Sequence, residues 1–467
     1  MNRRDLLKSA SVIALAPRIA GAALIDRETL RFPADFLWGT ATSAYQVEGR
    51  ADRRADCIWD RFTRIAGEIG DGSNGDIACD QYHRYPEDVA LMARAGLKAY
   101  RFSISWARVL PEGSGQPDQA GLDFYSRLTD TLLRAGIEPW VCLYHWDLPQ
   151  ALQDRGGWTE RAIADWYAEY AGLVARRLGD RATRWITFNE PMVHAVLGHG
   201  LGEHAPGLRG RQPMFAAFHH QNLAHGRGVL SLRAEGGARF RIGTVLNLQP
   251  VRPAEGLAEN VPAAEMWDAV WNRAALDPVL AGRYPKLLER SFEPLQQAGD
   301  LSEIKQPVDF IGLNYYGPMY QKVDPKGLVG TNWGAMPPDI HPNALGWPID
   351  ANGLVETLAD LRDNYGNPAV FVTENGACVA DTVGPAGSID DQGRIAYLRD
   401  HIAASHRAIG EGASLHGYFV WTIIDNFEWS HGYGAPFGLV KVDRTTLQRA
   451  PKASYEWFAQ VARTGAI

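Results

Sequence analysis

The chain has 467 residues, 46% hydrophobic and 22% charged, which is the composition of a soluble globular protein with ample means to bury a core. Its formal charge of −7 argues against a nucleic-acid or anionic-membrane partner. Length alone is compatible with two or three ordinary domains or with one large α/β barrel.

In chain order, the first residues stand apart from the rest. Arg3 and Arg4 precede Leu6-Leu7-Lys8 and a short apolar stretch from Ser11 to Ala16, too short to anchor in a bilayer, and Ala20-Gly21-Ala22 forms an A-x-A cleavage site. The expectation is a twin-arginine export signal over residues 1–22, a mature chain starting near Ala23 and a periplasmic location, with a plain basic tail as the alternative. No second apolar segment approaches membrane length, so no membrane anchor is expected. Cys57, Cys79, Cys142 and Cys378 are the four cysteines, without C-x-x-C or metal-ligand spacing. Cys57 and Cys79 flank a Gly/Asp-rich loop and either pair after export or stay free.

From there a unit repeats: an amphipathic helix, a glycine, a few polar residues, then a β-rich apolar run. Gly96 precedes Ala99–Ile104, Gly136 precedes Pro139–Tyr144, Gly179 precedes Trp185–Phe188 and Gly237 precedes Phe240–Leu246. The order returns at Gly366 before Ala369–Thr373 and at Gly412 before Tyr418–Trp421. Glycine after a helix permits the left-handed cap that turns the chain back toward a sheet. Phe36–Thr40 and Phe310–Tyr315 bring the strands to eight, and helices such as Leu122–Ala135, with Leu122, Tyr125, Leu128 and Leu132 on one face, lie between them. Eight βα units predict a single (β/α)8 TIM barrel over residues 23–467. The rival, a doubly wound open sheet, lacks support because no G-x-G-x-x-G follows the first strand and no Walker motif occurs. Asn247–Asp309 and Pro318–Asp350 read as long βα loops over the barrel mouth.

In such a barrel the site lies at the C-terminal strand ends, and polar residues cluster there. Strand one runs into Thr42–Glu48, including Gln46; Arg101 lies in strand two; His145 follows strand three; Asn189 and Glu190 follow strand four. Asn314 and Tyr316 close strand six, Glu374 and Asn375 strand seven, and Trp421 to Trp429 follow strand eight. Either glutamate singly reads as a helix cap or a buried ion-pair partner. Two carboxyls at strand ends, among amides, an imidazole, a guanidinium and indoles, suit acid/base chemistry on a neutral polyhydroxylated ligand. The high count of fifteen tryptophans fits this, since indoles pack cores and also stack on the C–H faces of sugar rings. His145 is either a ligand contact or a satisfied strand-end histidine. His199 and His204 read as loop residues, and Glu203 between them does not form H-E-x-x-H, so a zinc-protease reading fails.

Seven motifs make the pattern recognisable: F-L-W-G-T-A-T-S-A-Y-Q-V-E-G (Phe36 to Gly49), Y-R-F-S-I-S-W (Tyr100 to Trp106), H-W-D-L-P (His145 to Pro149), T-F-N-E-P (Thr187 to Pro191), G-L-N-Y-Y (Gly312 to Tyr316), V-T-E-N-G (Val372 to Gly376) and D-N-F-E-W (Asp425 to Trp429). Together they resemble the family 1 glycoside hydrolases, the β-glucosidase family, from about Phe32 to Phe458. The resemblance implies retaining hydrolysis by two carboxyls roughly 5 Å apart, with no metal and no organic cofactor. By similarity Glu374 is the nucleophile and Glu190 the acid, then the base, with Arg101 and Tyr316 holding Glu374 as an anion whose charge raises the pKa of Glu190. It further implies that Gln46 and Glu428 bind the C3, C4 and C6 hydroxyls, that His145 and Trp429 reach C3, and that Asn189 reaches C2. Trp421 would be the stacking floor, Asn314 a support and Phe437 a wall, with plain packing the alternative for the last two.

Glu428, and the lack of lysine from Gly432 to Leu439, favour a non-phosphorylated sugar, because a carboxylate repels a phosphate. Met192 stands where the family often has an aglycone-wall tryptophan, Thr422 where serine is usual, and Ala435-Pro436 where a basic pair is common. The expected partner is a β-linked glycoside; β-galactosides or β-fucosides, or a catalytically inactive sugar-binding protein, are the alternatives. A monomer and a homo-oligomer are both compatible with the sequence.

Overall fold

The computed structural model describes residues 29–51, 54–384 and 387–467, so the expected export signal and its cleavage site lie outside the described residues. Eight parallel strands close into a barrel: β1 (Leu37–Ala41), β2 (Ala99–Ser103), β3 (Glu138–Cys142), β4 (Arg184–Asn189), β5 (Arg241–Asn247), β6 (Phe310–Asn314), β7 (Val370–Asn375) and β8 (Leu415–Trp421). Each pairs with its sequence neighbours, and β8 closes on β1 through Leu37 opposite Gly417 to Ala41 opposite Trp421. This is the TIM barrel that the strand count implied, with an outer layer of helices that includes α1 (Gln81–Ala95), α2 (Gln119–Arg134), α3 (Ile163–Leu178), α4 (Arg211–Gly236), α5 (Ala351–Asn364), α6 (Gln392–Gly410) and α7 (Ala453–Thr464).

Local chemistry explains the elements. Asp118 caps α2 by accepting from the backbone N–H of Ala120 at 2.8 Å, and Leu122, Tyr125, Leu128 and Leu132 bury the face toward the sheet. Inside the barrel, Ala99, Trp140, Cys142, Ile186, Val245, Phe310, Phe371 and Phe419 form an apolar plug beneath the polar strand ends. At the upper end, the strands that carry the glutamates lose even register. Pairing of β4 with β5 shifts between Ile186 and Asn189, and pairing of β7 with β6 shifts between Val372 and Glu374. Such irregularities re-aim side chains at a barrel rim. Gly376 permits the next step of the chain, because a Cβ there would lie 1.9 Å from the carbonyl oxygen of Trp421.

The long connections after β5 and β6 are structured rather than plain loops. Val251–Pro253, Met319–Val323 and Thr331–Trp333 pair into a small three-stranded sheet that ties the two connections together. His199 corrects a sequence expectation: it lies inside the helical segment His194–Leu201, fully buried, not in a loop. The glycines beside it serve close packing, since a Cβ on Gly198 would lie 2.5 Å from the carbonyl oxygen of Ala205. Cys57 and Cys79 are unpaired, as are Cys142 and Cys378, and all four are buried. Among the described residues no helix is long and apolar enough to cross a membrane.

Candidate active site

A cavity of about 360 Å³ opens at the C-terminal end of the barrel and is lined by Glu190, Glu374, His145, Tyr316, Trp421, Glu428, Trp429 and Phe437 among others. Gln46, Arg101, Asn189 and Asn314 lie immediately behind that lining, each with no exposed surface, and reach it through hydrogen bonds. The structure thus gathers every residue that the motifs singled out. Trp146, Glu190 and Trp429 have left-handed backbone (φ 75°, 49° and 49°), a conformation that side chains larger than glycine rarely adopt and that turns these three residues into the cavity.

The two glutamates differ in what surrounds them. Glu374 accepts from the Arg101 guanidinium on Oε1 and from the Tyr316 hydroxyl on Oε2 at 2.6 Å. Burial pushes its pKa up, and Arg101 and Tyr316 pull against that. Glu190 has no cationic partner. Its Oε1 accepts from the amides of Asn247 and Asn314, both at 2.8 Å. Burial first, then the charge of Glu374, pushes its pKa up to about 8, so the group holds a proton at neutral pH. A third carboxyl, Glu428, is also pushed up to about 8, by burial and then by Glu374, with the Trp421 indole and Gln46 pulling it down. Of the three carboxyls, Glu374 is the one that the Arg101 guanidinium bonds. The negative charge therefore concentrates on Glu374.

Donor chemistry fixes the orientation of the amides. An arginine can only donate, so the Asn189 atom 2.7 Å from Arg101 Nη1 is its oxygen, and its Nδ2 donates to His145 Nε2 at 3.0 Å. His145 is thereby the Nδ1–H tautomer, and burial lowers its pKa well below the usual range, which keeps it neutral. Its ring neighbours Trp421 and Trp429, with centroids 6.0 and 5.9 Å away and planes inclined by 26° and 25°. Gln46 accepts from Ser43 at 2.7 Å and donates to Phe427 O at 2.9 Å and to Glu428 at 3.4 Å, which sets it beside Glu428 and within the loop that carries it. Phe437 and Trp347 stand 5.9 Å apart as one side wall.

Two features escaped the sequence reading, and a third, Met192, is placed differently from the family pattern it departs from. Asn247, the last residue of β5, is an immediate partner of Glu190. Trp271, Trp333 and Trp347, from the long connections, line the cavity. Met192, the departure that had bearing on the aglycone wall, is fully buried, and its neighbours Val193 and Leu197 line the cavity instead. His204 lines the cavity too, whereas His199 does not. Among the described residues no group of three His, Cys, Asp or Glu side chains is arranged to hold a metal ion.

Comparison with known proteins matches residues 28–466 to the family model for glycosyl hydrolase family 1. The chain belongs to that family. It is a glycosidase, and its similarity to individual members spans most of the chain. β-Glucosidase A of Acetivibrio thermocellus is 44% identical over 93% of this chain and 98% of its own length. A protein of Bifidobacterium breve named bifunctional β-D-glucosidase/β-D-fucosidase is 43% identical over 92% of this chain and 98% of its own. A solved β-glucosidase of Thermotoga maritima, in complex with glucoimidazole, superposes with a TM-score of 0.89 at 43% identity, covering 94% of this chain and all of that one.

Proposed function

We propose that this glycosidase hydrolyses terminal non-reducing β-D-glucosyl residues with retention, Glu374 acting as nucleophile and Glu190 as acid and then base. The observation that carries the assignment is the unequal environment of the two carboxyls, one held by a guanidinium and a phenol, the other by two neutral amides. In the first step an ionised Glu374 oxygen bonds to the anomeric carbon as the glycosidic bond breaks, and the Glu190 proton passes to the departing oxygen. In the second, Glu190 takes a proton from water, the water oxygen bonds to the anomeric carbon, and the ester to Glu374 breaks. Conversion of Glu374 to an ester removes the charge that raised the Glu190 pKa, so Glu190 becomes a better-ionised base when it must accept a proton.

Glu428, Gln46, His145 and Trp429 are the candidates for the glycone hydroxyls, Asn189 for the C2 hydroxyl, and Trp421 for the apolar face of the ring. A 6-phosphate would bring negative charge to a pocket that already holds three carboxyls, so the reading is of a free sugar. The test is a 2-deoxy-2-fluoro-β-glucosyl donor with a good leaving group. A mass increase of one fluoroglucosyl unit on the peptide that contains Glu374 is expected, and labelling elsewhere would refute the assignment.

A second reading, β-fucosidase or β-galactosidase activity, is favoured by the B. breve relative, named for β-fucosidase as well as β-glucosidase activity, and by Gln46 lying at 3.4 Å from Glu428, an arrangement able to meet either C4 configuration. Relative rates on aryl β-glucoside, β-galactoside and β-fucoside decide between them. The proposed location is the periplasm, reached through Arg3-Arg4 and the apolar stretch behind them. N-terminal sequencing of the enzyme from fractionated cells should give a start at Ala23 or close to it, and intact Met1 on cytoplasmic enzyme would overturn this.

A further inference from the structure

The amide bonds to Glu190 Oε1 form part of a longer chain. Asn247 Nδ2 donates to Oε1, while Asn247 Oδ1 accepts from Gln249 Nε2 and, at 3.3 Å, from Trp271 Nε1. Trp271 Nε1 also donates to the Asn247 carbonyl at 3.0 Å. Because an indole nitrogen can only donate, the atom of Asn247 facing it must be the oxygen, and the NH2 must face Glu190. Gln249 is fixed in turn by Asn272, which donates to its carbonyl at 2.8 Å and accepts from its N–H at 3.1 Å, and Asn272 is held by Asp268 at 2.6 Å. On the other flank, Thr373 donates to Asn314 Oδ1 at 2.8 Å, which likewise turns the Asn314 NH2 toward Glu190. Two locked N–H donors therefore occupy both lone pairs of Oε1. Oε2 accepts no hydrogen bond from any described residue.

We propose that Asn247 is a positioning residue for acid catalysis: with Asn314 it saturates Oε1 as an acceptor, so the transferable proton of Glu190 resides on Oε2, the oxygen left to face the glycosidic bond. This deepens the glycosidase reading and rests on Glu190 being its acid. A carboxyl free to place its proton on either oxygen would offer the wrong one part of the time. The same amides stabilise the ionised form, and so moderate the effect of burial and of Glu374 on Glu190. The other charged or titratable groups that face Glu190 are Arg101 of β2, which stabilises the anion, and Glu428 and Tyr316, whose own pKa values Glu190 raises.

The experiment compares kcat/KM of the full enzyme and its Asn247→Ala and Asn247→Asp variants on methyl β-D-glucoside, whose leaving group needs protonation, and on 2,4-dinitrophenyl β-D-glucoside, whose leaving group does not. Methyl is too small to use the aglycone side of the cavity, which separates proton delivery from aglycone binding. For Asn247→Ala the methyl glucoside rate should fall about tenfold or more and the dinitrophenyl rate by less than about threefold. The basic limb of the pH profile should move to higher pH, because loss of a donor to the anion raises the Glu190 pKa. Asn247→Asp keeps the acceptor for Gln249 and Trp271 and adds a negative charge, so it should give the same leaving-group split with a larger basic-limb shift. Equal losses on both substrates, or a leaving-group split with an unmoved basic limb, would overturn the proposal and leave Asn247 a structural or aglycone-contacting residue. A parent enzyme that turns over neither glucoside would instead overturn the underlying function.

Discussion

The floor and the mouth of the barrel are built from the same eight strands, yet they follow opposite rules. On β3, Trp140 packs edge-on against Phe371 of β7 and Phe419 of β8, at centroid distances of 4.8 and 5.0 Å, in a plug of apolar rings whose charged neighbours, Glu138 and Arg184, lie at its outer edge. A few residues further along the neighbouring strands, Arg101, Asn189, Asn314 and Glu374 fill the same interior with charge and amides, every one of them hydrogen-bonded. Floor residues gain stability from apolar area and shape, so their loss should cost folding more than chemistry. Mouth residues carry a desolvation penalty that hydrogen bonds only partly offset, so their loss should cost chemistry more than folding. A closed, stable floor permits a strained, charged mouth.

The sharpest way to break this comparison is Glu374→Ala. Activity on an aryl β-glucoside should fall about 10⁵-fold or more, while the thermal midpoint stays level or rises, because a buried carboxyl crowded by two others is removed. A lower midpoint would show that the Arg101–Glu374 pair supports the fold. Arg101→Met comes next, with kcat/KM reduced about 10²- to 10³-fold. The acid limb of its pH profile should move up, since Glu374 must be ionised to attack and loses the group that opposes the effect of burial. At the floor, Trp140→Ala should destabilise by about 3–5 kcal/mol in denaturant titration, with kcat per folded molecule changed less than about twofold. The smallest effect is expected at the boundary. Thr373→Val removes the donor that orients Asn314 and should cost about 1 kcal/mol in kcat/KM.

Much of this division was legible in the sequence. The glycine-then-apolar-run pattern located six of the eight strands and apolar runs alone the other two, all to within a few residues, because strands buried on both faces must be near-continuously apolar. Glu190, Glu374 and Arg101 were legible because they interrupt or end such runs, where a charged residue has no packing reason to be. Asn247 was not. An asparagine one residue past Leu246 looks like the first residue of a loop, and its partners Gln249, Trp271 and Asn272 are brought to it only by the folding of the connection after β5. The helical course of His194–Leu201 was hidden for a related reason. Gly198 and Gly200 disfavour a helix locally, and only the close approach of Ala205 and Leu328 in the folded molecule explains them. The small sheet over the mouth joins strands from two different connections, a pairing that no local pattern encodes.

The four unpaired cysteines have a practical consequence. All are buried, and burial raises every thiol pKa, to about 12 at Cys79 and Cys142, about 11 at Cys378, and well above the usual value at Cys57. A thiol reagent at neutral pH meets almost no thiolate in the native state, so its rate of reaction measures opening of the fold rather than chemistry at sulfur. The cysteines also sample separate places: Cys142 the barrel interior, Cys378 the region beside Trp421 and Phe437, and Cys57 and Cys79 the outer core. Peptide mapping of alkylation against time would rank these regions by how readily each opens, with no label added to the protein.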